Sequence, residues 1–136
     1  MSCNPCSGQI AFSVSLNDTK CIGVNEIVNF PKVATNLGNG YNSCSGVFTA
    51  PKAGLYVFHV HALSNCGADF KFRIYRNDCP CASAFANTSN NYAMGGNTVA
   101  LCLQCGERVY VKSITNSSVY SDCDDFYFTF TGYLLG

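Results

Sequence analysis

A chain of 136 residues has the size of one domain, and its 48% apolar share is enough to build a core. Eight basic residues cancel eight acidic ones, and only 12% of positions are charged, about half the usual share, so no basic stripe points to nucleic acid or an anionic membrane. No apolar run reaches the roughly 18 residues that span a bilayer, and Met1–Gln9 is polar and Cys-bearing, unlike a signal peptide.

Residues 1–8 hold Cys, Pro, Gly and Ser and read as an irregular arm, leaving 9–136 as the globular domain. Gln9–Leu16 sets Ile10, Phe12, Val14 and Leu16 against Ala11, Ser13 and Ser15, a strand with one buried face. Asn17–Lys20 reads as a turn. Glu26–Phe30 and Lys32–Asn36 read as extended pieces split by Pro31, which cannot donate a ladder hydrogen bond. Leu37–Ser45, rich in Gly and Asn, reads as loop, and Gly46–Ala50 as a short strand before the turn Pro51–Gly54.

Leu55–Leu63 alternates Tyr56, Phe58, Val60 and Ala62 with Val57, His59 and His61. Ala68–Asn77 alternates Phe70, Phe72 and Ile74 with Lys71, Arg73 and Tyr75. A turn over Asn77–Cys81 leads to a strand over Ala82–Asn87, and Thr88–Gly96 is a polar loop carrying Tyr92. Asn97–Leu103 and Arg108–Thr115 are strands, and Asn116–Asp125 is a Ser- and Asp-rich loop. In the last stretch Phe126, Phe128, Phe130 and Leu134 share one face, while Tyr127, Thr129, Thr131, Tyr133 and Leu135 share the other. A strand apolar or aromatic on both faces belongs in the middle of a sheet covered on both sides, and one side fits another subunit. No segment keeps a helical period, so the pattern predicts an all-β sandwich of about ten strands, a double-sheet jelly roll.

Ten cysteines in a small chain lean towards disulfides and an oxidising compartment, with pairing open. Three sequons, at Asn17, Asn87 and Asn116, become glycosylation sites if the chain is secreted. Cys3-x-x-Cys6 and Cys102-x-x-Cys105 have metal-ligand spacing, set against disulfides or free thiols. His59 and His61 point the same way along one strand, as zinc ligands or as half-buried polar residues at a subunit contact. Asp122, Asp124 and Asp125 form either a calcium-binding group, with nine carboxylates gathered in a trimer, or a solvated acidic loop. Asn90, Asn91, Tyr92, Tyr120 and Asp122 are the candidate ligand-binding residues, because tyrosine gives rigid amphipathic area and Asn and Ser give adaptable hydrogen bonds suited to sugars. No nucleophile elbow, phosphate loop or His-Glu-x-x-His occurs, so no enzyme is expected.

Phe30, Asn36, Tyr41, Phe48, Gly54, Tyr56 and Phe58 stand in the register of the signature of the globular head of complement component C1q, with Val60 at its closing aromatic position. Gly95–Val111 and Phe128–Leu135 are similar to that family's Gly-rich entry with its paired strands and to its closing Phe-Ser-Gly-Phe-Leu-Leu strand. The chain resembles a head-only member of the molluscan type, without the family's Gly-x-y stalk triplets and with unusually many cysteines. The resemblance implies a ten-stranded jelly roll of the tumour-necrosis-factor type, a tight homotrimer and secretion. It also implies recognition of carbohydrate or microbial surface patterns through loops. Alternatives are a signalling or structural ligand for a protein receptor, or a metal-binding extracellular protein. The loop that carries aspartates in calcium-binding relatives corresponds here to the uncharged Asn87–Asn91.

Overall fold

The computed structural model describes residues 8–136, so Cys3, Cys6 and the arm before Gly8 lie outside the described residues. Every regular element is a strand: β1 Ala11–Leu16, β2 Lys20–Ile22, β3 Lys32–Leu37, β4 Tyr41–Asn42, β5 Val47–Thr49, β6 Gly54–Leu63, β7 Asp69–Arg76, β8 Cys79–Asn87, β9 Met94–Leu103, β10 Arg108–Ser113, β11 Ser117–Val119 and β12 Phe128–Leu134. A front sheet runs β3-β1-β12-β6-β9, a back sheet runs β4-β5-β10-β7-β8, and β2 and β11 form a separate ribbon. Two five-stranded antiparallel sheets face to face make the jelly-roll sandwich that the alternation predicts.

β12 lies at the centre of the front sheet, paired with β1 (Val14↔Phe130) and with β6 (Phe130↔Val60). Phe128 and Phe130 turn inward and are fully buried, while Thr129, Thr131 and Tyr133 turn outward and are half-buried by their neighbours. Phenylalanine is the commonest residue of the core. Phe12 stacks on Phe48 at 4.8 Å and meets the edge of Phe130 at 5.0 Å, and Phe30 meets Phe128 edge-on at 4.9 Å. Such pairs add about 0.5–1.5 kcal/mol each beyond their area burial. Gly132 faces this cluster because a Cβ there would lie 2.6 Å from both Phe12 and Phe58. Tyr41 is buried with its hydroxyl accepting the Phe30 N–H at 3.0 Å, and burial pushes its phenol up to about 12.

Several boundaries differ from the sequence expectation, each for a physical reason. β9 starts at Met94 rather than Asn97 because Gly95 and Gly96 are strand residues here. A Cβ on Gly95 would lie 2.7 Å from the Phe85 carbonyl oxygen, and one on Gly96 would run into the His61 ring, so glycine permits a close approach rather than a loop. β8 likewise starts at Cys79, inside the expected turn. The segment Glu26–Phe30 makes one isolated bridge, Ile27 to Lys112, instead of a strand. β2, which begins at the last residue of the expected turn, and β11, read as loop, pair with each other over three residues.

Phe126 does not join the last strand. Asp122 Oδ1 accepts the backbone N–H groups of Asp124 (3.1 Å) and Asp125 (2.7 Å), closing a turn. Phe126 then leaves that turn at a φ of 52°, in the left-handed region a phenylalanine rarely enters.

Candidate functional site

Three pieces of chain meet at one end of the sandwich: the end of β6, the loop from Thr88 to Ala93, and the stretch from β11 into the acidic turn. Backbone hydrogen bonds fasten them. The Tyr120 N–H bonds the Leu63 carbonyl at 2.9 Å, the Asn65 N–H bonds Ser118 at 3.0 Å, and the Ser64 N–H bonds Ala93 at 2.8 Å. The Ser64 hydroxyl in turn accepts the Ala93 N–H at 2.9 Å. Buried Ser121 ties the turn to the end of β1, donating to the Leu16 carbonyl at 2.7 Å and accepting the Tyr127 N–H at 3.1 Å. The loops are therefore pinned to the rigid sheet close to where their side chains project.

These constraints place Tyr92, Tyr120 and Tyr127 around Leu63, and the four line a cavity of about 350 Å³. Tyr92 meets Tyr120 edge-on at 5.4 Å, and Tyr120 lies 5.7 Å from Tyr127 at a tilt of 41°. The volume sits at the small end of the ligand-pocket range of roughly 300–1,000 Å³. Tyr92 is half exposed and Tyr120 and Tyr127 partly buried, so the rings offer faces to solvent while their backbones are held.

Carboxylates stand behind the phenols. The Tyr120 hydroxyl donates to Asp122 Oδ2 and the Tyr127 hydroxyl to Asp125 Oδ2, each at 3.4 Å. The charge of Asp122, followed by burial, raises the Tyr120 phenol above its usual value. The charge of Asp125, again followed by burial, does the same for Tyr127. Both shifts report a negative potential at the rings.

Of the sequence candidates, Tyr92, Tyr120 and Asp122 come together here. Asn91 holds the Tyr92 backbone, its side-chain oxygen accepting the Tyr92 N–H at 2.9 Å, and the exposed Asn90 sits next to it, its carbonyl 3.7 Å from the Cys66 thiol. Sequence reasoning missed Leu63 and Tyr127. Both look like strand residues in an alternating pattern, and only the fold shows that they close this cavity. Among the described residues no group of three or more His, Cys, Asp or Glu side chains is placed to hold a metal, Asp122, Asp124 and Asp125 included.

The histidines lie elsewhere, on the outer face of the front sheet. His59 hydrogen-bonds with Thr98 Oγ1 at 2.8 Å and with the Tyr133 hydroxyl at 3.2 Å, and His61 packs over Gly96. Around them lie Ser13, Thr131, Val57, Ala100 and Cys102, and β1, β12, β6 and β9 bring no formal charge to this face. The cysteines are scattered. No bridge joins any two of the eight described ones, and all but the partly covered Cys81 are exposed. The composition leans towards bridges within the chain, whereas the eight described thiols stand free in the structure.

The sandwich has the jelly-roll fold of C1q and tumour-necrosis-factor domains. It superposes on the globular domain of zebrafish complement 1qA protein with a TM-score of 0.78 at 22% identity, covering 93% of this chain and 98% of that one. It also superposes on Eiger TNF from S. frugiperda with a TM-score of 0.75 at 12% identity, covering 94% and 93%. In sequence, the chain is 31% identical over 109 residues to complement C1q tumor necrosis factor-related protein 6 of Mus musculus, covering 78% of this chain and 41% of that protein. It is 29% identical over 130 residues to Caprin-2 of Danio rerio, covering 93% and 14%. The chain thus spans less than half the length of either relative. The C1q domain model matches residues 11–135, and the chain belongs to the C1q domain family.

Proposed function

We propose that this chain is a secreted recognition protein that assembles as a homotrimer and binds carbohydrate or microbial surface patterns through the tyrosine-lined end of each subunit. The observation that carries the reading is the cavity of Tyr92, Tyr120, Tyr127 and Leu63, with the Asn90 and Asn91 amides on its loop. Tyrosine faces stack on the CH-rich faces of sugars, and flanking amides supply hydrogen bonds at little cost in rigidity. Assembly rests on the outer face of β1, β12, β6 and β9, which carries no Lys, Arg, Asp or Glu and fits a subunit contact better than open water, with Lys32 of β3 at its edge. Three weak sites on one rigid body raise avidity without new contacts.

Calcium on Asp122, Asp124 and Asp125 would need ligands from more than one copy, because one chain does not gather three. No helix of the described residues is long and apolar enough to cross a membrane. A second reading, a ligand for a protein receptor, draws on Phe85, which is 57% exposed on β8. Binding is tested on a glycan array with the trimer, with and without calcium, comparing wild type with Tyr92→Ala and Tyr120→Ala. Binding that both variants lose supports the sugar reading. An array that stays silent, or that both variants bind as well as wild type, refutes it.

A further inference from the structure

We propose that the tyrosine cavity selects ligands bearing an organic ammonium group, so that an amino sugar or a choline-type headgroup is held and its neutral counterpart is not. This rests on the reading above that the cavity is a ligand site.

The first observation is the lining. The Tyr120 ring lies 5.4 Å from Tyr92 and 5.7 Å from Tyr127, and the three rings with Leu63 present π-faces and aliphatic surface with few polar groups. A cation seated over such faces is attracted by the ring quadrupoles, and desolvation by an apolar wall strengthens the attraction. The second observation is the sign of the surroundings. The stretches 88–93 and 117–127 carry Asp122, Asp124 and Asp125 and no lysine or arginine. Three lysines belong to flanking elements: Lys20 opposite Val119 in the ribbon, Lys71 on β7, whose backbone N–H bonds the Ser117 hydroxyl, and Lys32 at 5.9 Å from the Phe126 ring centre. None of the three lines the cavity.

The third observation joins the first two. Asp122 and Asp125 accept the phenol protons of Tyr120 and Tyr127, so electron density is pushed onto the rings from behind. The potential that makes a phenolate unfavourable at Tyr120 and Tyr127 is the potential that makes an ammonium favourable. A neutral sugar gains the stacking but none of this field. An anionic sugar is opposed by it.

Four probes separate the possibilities by calorimetry at slightly acidic pH: choline, its neutral carbon isostere 3,3-dimethylbutanol, an N-acetylglucosamine tetramer, and the same tetramer fully deacetylated. Choline should bind about tenfold more tightly than its isostere, or the deacetylated tetramer about tenfold more tightly than the acetylated one. The pair that shows the gap identifies the source of the ammonium. Asp122→Asn keeps an oxygen to cap the Asp124 and Asp125 N–H groups while removing the charge. Together with Asp125→Asn it should shrink the gap to about threefold or less with the circular dichroism spectrum unchanged.

Equal affinity within both pairs overturns the ammonium assignment and leaves the sugar site standing. Choline binding with neither tetramer bound supports the assignment and overturns the carbohydrate reading. No binding by any probe overturns both. A gap that survives in the double variant overturns the role given to the carboxylates.

Discussion

Replacing Gly132 with alanine tests the packing of the aromatic core. The new methyl carbon would lie 2.6 Å from Phe12 Cε1 and from Phe58 Cδ1. Carbon atoms in contact sit at about 3.5–4.0 Å, so the shortfall is about 1 Å on both rings at once. Neither ring has room to withdraw. Phe12 is held between Phe48 at 4.8 Å and Phe130 at 5.0 Å, and Phe58 between Phe48 at 5.7 Å and Tyr56 at 6.2 Å. The cost should fall at the upper end of the roughly 1–3 kcal/mol that overpacking imposes, and the melting midpoint should drop by about 10 °C. Gly106→Ala is the comparison: its φ is +91° but nothing lies within 4 Å, so it carries only a backbone penalty of about 1–2 kcal/mol. Urea unfolding at one fixed protein concentration, followed by tyrosine fluorescence, measures both, the concentration being held because assembly moves the midpoint. A Gly132→Ala protein within about 0.5 kcal/mol of wild type would show slack in the front sheet and refute the reasoning.

A charge on the outer face of the front sheet, Val57→Glu or Ala100→Glu, should turn trimer into monomer, since an unpaired charge buried in a contact costs several kcal/mol; native mass spectrometry reads the outcome, and an intact trimer rejects this face. Cys102 lies on that face opposite Leu55, and Cys105 lies on the β9–β10 turn. Iodoacetamide should therefore label Cys105 at least about tenfold faster in the assembled protein and both at similar rates in the charge variants, as read by peptide mass mapping. Tyr41 makes stability fall at high pH: the folded phenol keeps its proton to about 12 while the unfolded one releases it near 10.0. Stability is thus full below pH 10 and declines from pH 10 to 12 by about 1.4 kcal/mol per unit, and Tyr41→Phe should flatten that decline in urea titrations.

The long alternating strands were legible because each carries one fully apolar face: Phe12-x-Val14-x-Leu16, Tyr56-x-Phe58-x-Val60 and Phe128-x-Phe130 all face the core. What periodicity hid was short or small. Ser117 is only 2% exposed, yet it is polar, and its burial is compensated by a hydroxyl bonded to Ser113 and by the Lys71 N–H. Gly95 and Gly96 read as loop because a missing side chain looks the same whether it frees the chain or lets a neighbour come close. The site was half legible. Tyr92 and Tyr120 stood out as aromatics among polar loop residues, whereas Tyr127 sat in a run of aromatics. Its separation from Phe128 depends on the turn capped by Asp122, which no spacing rule reveals.

The front sheet has an order of assembly built into it. β3–β1 and β6–β9 form two ribbons, and only β12 laces one to the other. Ser13 and Thr131, neighbours at 3.1 Å, stand 118 positions apart, so a growing polypeptide holds two greasy ribbons with open edges until Phe128–Leu134 leaves the ribosome. Any product stopped short of that segment leaves the facing edges of β1 and β6 unpaired, and such open edges favour aggregation.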